Sequence, residues 1–237
     1  MIRSVNQTHA EGDDRLGVVV VAAGRSTRMG GTDKTFTEVQ GAPLIVHTLR
    51  RLGASEAVEA IALVVAAETV SEAETLVRRF GVSKITSICA GGARRQDSVY
   101  AGLMALGQRR WVAIHDGARP CVSADVLTRG LDAVRQCNAA IAAVPVKDTI
   151  KVVGDEGLIT HTPERSALWA AQTPQVFEYR LLLEAHRNAP GDFTDDAAMV
   201  EALGHPVRVF WGNYDNLKVT TPEDLAIVDQ IISEQAG

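Results

Sequence analysis

The sequence predicts an α/β fold built on a mostly parallel twisted sheet, with helices on both faces and a protruding β-arm. Three observations carry this. Apolar runs of strand length alternate with segments of helical period through Val146. Three of the predicted strands end in polar, glycine-bearing loops, at 24–34, 91–98 and 116–120. After Val146 the rhythm breaks into two short β-like runs around a Gly/Asp turn. Strands alternating with helices imply βαβ units and a parallel sheet, whose right-handed crossovers place helices on both faces.

Leu16–Ala23 is a continuous apolar run, the pattern of a strand buried on both faces. Leu44, Ile45, Thr48, Leu49 and Leu52 recur at helical spacing, and Gly53 is expected to end that helix. Ala57–Ala66 is a second strand, 71–80 a helix with Ala73, Leu76, Val77 and Phe80 on one face, and 84–89 a third strand. Gly91-Gly92 leads into a helix carrying Val99, Leu103 and Leu106. Arg110–His115 is a fourth strand, ending in Asp116-Gly117-Ala118-Arg119-Pro120. Ser123 is the expected N-cap of a helix whose apolar face is Val126, Leu127, Leu131 and Val134. Ala139–Val146 is a fifth strand.

Residues 147–168 read as a hairpin, Ile150–Val153 and Leu158–Thr160 flanking Gly154–Gly157. A hairpin of such modest hydrophobicity needs something to pack on, and a second copy of the chain is the simplest partner. Ala171–Phe177 receives no element. A helix follows at 180–188, then a short one at 197–203 capped by Thr194-Asp195-Asp196, a late strand at 207–211, and a polar loop bearing Lys218. The last helix starts at Thr221-Pro222 and is expected to bury Leu225, Ile227, Val228, Ile231 and Ile232. Trp111, Trp169 and Trp211 read as packing residues, and His115 as a satisfied structural histidine. Residues 16–237 thus form one domain with the arm, and residues 1–15 a flexible tail.

The net charge of −5 argues against nucleic-acid binding, which wants a basic face. Cys89, Cys121 and Cys137 form no C-x-x-C pair and fit reduced thiols. No run reaches the ~20 apolar residues of a membrane span. A cytoplasmic enzyme is expected.

Ligands of such sheets lie outside the carboxyl ends of the strands, so the three loops should converge on one crevice. The first loop places Arg25, Arg28 and Lys34 around Gly24, Gly30 and Gly31. Glycines admit close backbone approach and cations neutralise phosphate oxygens, so this is a polyphosphate loop. It is neither a Walker A loop nor a dinucleotide fingerprint, because its glycines are mis-spaced for both.

The pattern Ala22-Ala23-Gly24 with Arg28 and Lys34 resembles the sugar-nucleotide pyrophosphorylase class of nucleotidyltransferases. Further segments narrow the resemblance: Gly91-Gly92 through Asp97-Ser98, His115–Pro120, Pro145–Thr149, His161–Arg165, Gln172–Gln175, Thr194–Asp196 and Asp215–Thr220. In this order they are similar to the 2-C-methyl-D-erythritol 4-phosphate cytidylyltransferase family of the non-mevalonate isoprenoid pathway. The resemblance implies a Rossmann-like nucleotidyltransferase fold, CTP and methylerythritol phosphate as substrates, Mg²⁺ or another divalent ion, and a homodimer made through the arm. It implies catalytic roles for Arg28, Lys34 and Lys218. It places Ala22, Ala23, Gly24, Gly91, Gly92, Arg95, Ser98 and Asp116 on the nucleotide, with Asp116 also on the metal side. It places Arg119, Thr149, Arg165, Thr173 and Thr194 on the second substrate, Thr149 and Arg165 reaching the neighbour's site. Ala93 stands where the family often has an acidic residue, which leaves base recognition to backbone and Ser98. Two other readings stay open: a cytidylyltransferase for another polyol phosphate such as ribitol 5-phosphate, and a non-catalytic nucleotide-binding protein of the same fold.

Overall fold

The computed structural model describes residues 14–24 and 34–236. The tail to residue 13 and the loop residues 25–33 lie outside the described residues.

The elements follow the expected alternation. They are β1 (Leu16–Ala22), the small β2 (Glu38–Val39) and β3 (Ala42–Pro43), α1 (Leu44–Ala54), β4 (Val58–Val65), α2 (Val70–Phe80), β5 (Ile85–Ala90), α3 (Arg95–Leu106), β6 (Trp111–Asp116), α4 (Ala124–Cys137) and β7 (Ala139–Pro145). Then come β8 (Val152–Val153), β9 (Ile159–His161), β10 (Trp169–Glu178), α5 (Tyr179–Asn188), α6 (Asp196–Ala202), β11 (Arg208–Trp211) and α7 (Pro222–Ala236). Seven strands form the main sheet in the order β11-β7-β10-β6-β1-β4-β5. Only β10 among them runs antiparallel, between β6 and β7.

This order puts β1 at the centre, and its apolar run has the burial such a strand requires: Leu16, Val18, Val19 and Val20 are wholly buried. One core layer packs α1, α2 and α4 on one face of the sheet, and a second packs α3, α5 and α6 on the other. Gly102 allows α3 to lie close, because a Cβ there would come within 2.3 Å of Val19 Cγ1.

Four local expectations are corrected. Gly53 lies inside α1, where its missing side chain admits Ser83, whose Oγ would be 2.8 Å from a Cβ. The helix stops one residue later, where Ser55 turns extended. Ser123 has N-cap geometry but makes no side-chain cap bond. The cap of α6 is Asp195, whose carboxylate accepts from Ala198 N–H at 3.0 Å, and Thr194 is exposed outside it. Ile227 lies on the solvent side of α7, 52% exposed, while Val228 and Ile232 are buried.

Ala171–Phe177, left without an element, is most of β10. Pro174 and the polar Gln172, Thr173 and Gln175 hide its strand character, and the pairing with β7 shifts register between Ala171 and Gln175. Asp14, placed in the flexible tail by sequence, is held by Arg110, Arg135 and the Trp111 indole N–H. Trp111 is buried, but Trp169 and Trp211 pack edge-to-face on each other, 5.0 Å between ring centroids, and stay partly exposed.

The arm forms as expected: β8 and β9 pair antiparallel. Its apolar side chains Val153, Leu158 and Ile159 remain exposed.

Candidate active site

The carboxyl ends of β1, β4, β5 and β6 open into one crevice of about 700 Å³. Three of these ends are the loops singled out by sequence. The fourth, Ala66–Glu68 after β4, was missed because it carries no glycine and a single charge.

Close backbone packing shapes the crevice floor. Ala22, Ala23 and Gly24 line it at the end of β1. Gly117 N–H donates to the Val21 carbonyl at 2.9 Å, and a Cβ on Gly117 would meet Ala22 Cβ at 2.9 Å. Gly91 faces Ala23, whose Cβ would lie 2.4 Å from an added Cβ. A side chain at either glycine would force the strand ends apart. Ser98 Oγ accepts from Gly92 N–H and donates to the Arg94 carbonyl, both at 3.1 Å. Its hydroxyl therefore ties the Gly91–Arg94 turn to α3, and Ser98 lines the crevice as expected.

Asp116, at the end of β6, is the electrostatic centre. Its Oδ2 takes Lys218 Nζ at 2.9 Å and Arg119 Nε at 3.3 Å. Burial opposes ionisation of this carboxyl, but Lys218, Arg119 and Arg95 outweigh it and hold the pKa down to about 2. Lys218 lines the crevice with 41% of its side chain exposed. Arg119, expected on the second substrate, is buried, and its Nη1 donates to the Asn216 carbonyl at 2.7 Å. It braces Asp116 and the Lys218 loop from behind. Asn216 in turn donates through Nδ2 to the Thr173 carbonyl at 2.7 Å.

Thr173, also expected on substrate, is a buried relay behind Asp116. Its hydroxyl accepts from Asp116 N–H at 3.0 Å and lies 3.1 Å from His115 Nδ1. His115 Nε2 faces the Arg119 carbonyl at 3.2 Å, an acceptor, so Nε2 carries the proton and Nδ1 accepts from Thr173. Full burial pushes the His115 pKa down to about 4, which keeps this neutral tautomer.

Arg95 lines the crevice and pairs with Asp196 at 2.7 Å. Asp196 is wholly buried and also faces His186 Nε2 at 3.3 Å. Sequence reading saw Asp196 as part of a helix cap; its pairing with Arg95 across 101 residues left no local signal.

Thr149, Arg165 and Thr194 are exposed and line no part of this crevice. Arg165 Nη1 donates to the Lys147 carbonyl at 3.0 Å, folding back on the root of the arm. Arg28 lies outside the described residues, with Arg25, Gly30 and Gly31; Lys34 opens a short turn after them.

Among the described residues no group of three His, Cys, Asp or Glu side chains could hold a metal ion. In the crevice Asp116 offers one carboxylate, and its Oδ2 already takes two cations. That set fits a divalent ion that arrives on phosphate oxygens and needs at most one protein carboxylate.

Comparison with known proteins agrees with this geometry. The family model for 2-C-methyl-D-erythritol 4-phosphate cytidylyltransferase matches residues 16–234. A protein of that name from Dehalococcoides mccartyi is 45% identical over 94% of this chain and 98% of its own. Another, from Pelotomaculum thermopropionicum, is 44% identical over 94% of this chain and 97% of its own. Among solved structures, 4-diphosphocytidyl-2C-methyl-D-erythritol synthase from Anaerococcus prevotii superposes with a TM-score of 0.82 at 27% identity, covering 93% of this chain and 97% of that one. The cytidylyltransferase from Thermus thermophilus gives 0.74 at 30% identity, covering 91% and 98%.

Proposed function

The chain belongs to the 2-C-methyl-D-erythritol 4-phosphate cytidylyltransferase family, and we propose that its crevice works by in-line attack on the α-phosphorus of CTP. The reaction transfers the cytidylyl group of CTP to 2-C-methyl-D-erythritol 4-phosphate and gives 4-diphosphocytidyl-2-C-methyl-D-erythritol and pyrophosphate. A phosphate oxygen of the acceptor forms the new P–O bond as the bond to the β-phosphate oxygen breaks. That oxygen is already ionised at neutral pH, so no general base is needed. What the site must supply is alignment and neutralisation of charge.

The observation that carries this reading is the Lys218–Asp116–Arg119 arrangement. One buried carboxylate faces two cations, and Lys218 still reaches into the crevice. Asp116 fixes the ammonium in place, so little reorganisation is required as charge develops. Arg28 and Lys34 supply further positive charge from the first loop. The nucleotide passes along Ala22–Gly24 and Gly91–Gly92, with Arg95 and Ser98 shaping that wall. Mg²⁺, held mainly by the CTP phosphates and by Asp116 at most, would neutralise further charge when bound.

Measuring pyrophosphate release with CTP, ATP, GTP and UTP against methylerythritol phosphate and ribitol 5-phosphate tests the assignment. Release with CTP and methylerythritol phosphate is expected. Preference for ribitol 5-phosphate would replace the acceptor, and no release with any pair would leave a non-catalytic nucleotide binder.

We also propose that residues 16–237 act as one domain, and that the arm at 147–168 pairs two chains and carries Thr149 and Arg165 to the partner's site. Supporting this, Leu158 and Ile159 are 67% and 60% exposed in the single chain, and Thr149 and Arg165 line no part of their own crevice. Replacing both Leu158 and Ile159 by Glu removes two apolar side chains worth about 1.5–3 kcal/mol each on burial. Dimer affinity should fall by about 10²-fold or more, read by sedimentation, with a parallel loss of kcat/KM for the acceptor. An unchanged dimer would sink the arm's role. The three cysteines are unpaired, consistent with work in the cytoplasm, and among the described residues no helix is long and apolar enough to cross a membrane.

A further inference from the structure

The arm leaves the sheet at Pro145 and returns at Trp169, the outermost pair of the β7–β10 ladder. From there to the β8–β9 pair at Val152 and His161, a single backbone bond crosses it among the described residues, Val146 N–H to the Leu168 carbonyl at 3.1 Å. A two-stranded stem so thinly bonded does not by itself fix the direction of what it carries. Thr149 and Arg165 lie on that stem, one on each leg.

Tyr214 supplies the missing hold. β11 ends at Trp211, whose partner on β7 is Ala143. Gly212 N–H still reaches the Ala143 carbonyl at 2.8 Å, and there the pairing stops. Carbonyls two residues apart on a strand point the same way, so the Pro145 carbonyl faces the gap past the end of β11. The Tyr214 hydroxyl fills that gap, donating to the Pro145 carbonyl at 2.8 Å. Two residues on, the Lys147 ammonium lies 3.6 Å from the centroid of the Tyr214 ring, a cation–π contact. The Lys147 carbonyl takes Arg165 Nη1 at 3.0 Å. Tyr214 therefore grips the first leg at two points, and Lys147 passes that grip to Arg165 on the second.

Tyr214 stands on a loop that the sheet already holds. Its turn is closed by Asn216 N–H, which donates to the Asn213 carbonyl at 3.1 Å. Gln172 Nε2 donates to the same carbonyl at 2.9 Å. Asn216, wholly buried, donates to the Thr173 carbonyl at 2.7 Å and accepts from Arg119 at its own. Val219, also wholly buried, donates its N–H to the Ala118 carbonyl at 2.9 Å. Lys218 is thus fixed from the sheet side without Tyr214. We propose that Tyr214 is a positioning residue for the acceptor: it seats the arm root on the Lys218 loop and so sets where Thr149 and Arg165 meet the partner's crevice. The inference rests on the arm reading above.

Mixed dimers provide the test. A Lys218→Ala chain paired with an Arg165→Ala chain keeps one intact site, made of the second chain's crevice and the first chain's arm. Tyr214→Ala in the arm-lending chain is expected to raise KM for methylerythritol phosphate about tenfold at that site, with KM for CTP unchanged. The same substitution in the crevice chain should leave both constants unchanged. Tyr214→Phe in the arm-lending chain keeps the ring beneath Lys147 and loses only the hydroxyl bond, so its effect should be smaller. A loss that appears equally on either chain, or chiefly on the crevice chain, would overturn the proposal and make Tyr214 a structural part of the Lys218 loop. An unchanged acceptor KM with Tyr214→Ala in the arm-lending chain would overturn it too. An inactive Lys218→Ala/Arg165→Ala dimer beside an active wild type would instead sink the arm reading, and this proposal with it. Tyr214 is 44% exposed, so its variants should match the wild type in Tm.

Discussion

Lys218→Ala is expected to lower kcat by about 10²–10³-fold, with the larger part of the loss in kcat and not in KM. The magnitude is that of removing one preorganised electrostatic donor from a transition state, about 3–4 kcal/mol. Geometry selects Lys218 over Arg119. Both touch Asp116 Oδ2, but Arg119 is buried, and its Nη1 is committed to the Asn216 carbonyl. Lys218 is 2.9 Å from the same oxygen with two-fifths of its side chain open to the crevice. Asp116 stays ionised in the variant, because Arg119 and Arg95 still act on a carboxyl now held at about 2. The loss therefore reports the missing ammonium and not a protonated aspartate. Steady-state kinetics with saturating acceptor checks it. A rise in KM for CTP at unchanged kcat would make Lys218 a residue that binds ground and transition states alike.

The sheet and its crevice were legible because their causes are local. β1 is a continuous apolar run and β4 is one from Ala60 to Val65, and buried parallel strands require that. Gly91 and Gly117 read as loop glycines, and the structure shows why no side chain fits at either. β10 was illegible for the opposite reason. Its residues pair with β6 and β7, which lie far away in sequence, and the side chains of Gln172, Thr173 and Gln175 are satisfied by Asn213 and Asn216, by His115, and by Asp195.

The site shows the same division. Asp116 and Lys218 could be named from their loops, but not their contact, which joins positions 102 residues apart. Arg119 and Thr173 were placed on substrate by resemblance. Both are buried beside Asp116, where Arg119 Nε meets its carboxylate directly and the Thr173 hydroxyl holds its backbone N–H, the two joined through His115. Polar side chains wholly satisfied inside the protein look the same in a sequence as ones waiting for a ligand.

Asp196→Asn is expected to destabilise the fold by about 2–3 kcal/mol. Asp196 is 0% exposed and lies at the start of α6, where it faces Arg95 and His186. Its backbone N–H and that of Ala197 both donate to Gln175 Oε1 at 3.1 Å, and Gln175 Nε2 donates to Asp195 at 2.8 Å. The backbone at Asp196 thus ties α6 to β10, and its carboxylate faces α5 through His186 and the crevice wall through Arg95. Removing one partner of a buried ion pair typically costs about 3–5 kcal/mol, because the remaining charge is left uncompensated. Here the remaining charge is Arg95, whose side chain keeps 26% exposure, so water recovers part of that cost. Urea unfolding of Asp196→Asn, Arg95→Met and the double variant gives the coupling directly. A coupling above about 1.5 kcal/mol is expected for a desolvated pair at 2.7 Å. A value near zero would mean that the two side chains are stabilised separately, Asp196 by His186 and Arg95 by solvent. The same variants should raise KM for CTP more than they lower kcat, because Arg95 borders the nucleotide wall while Lys218 meets the reacting phosphate.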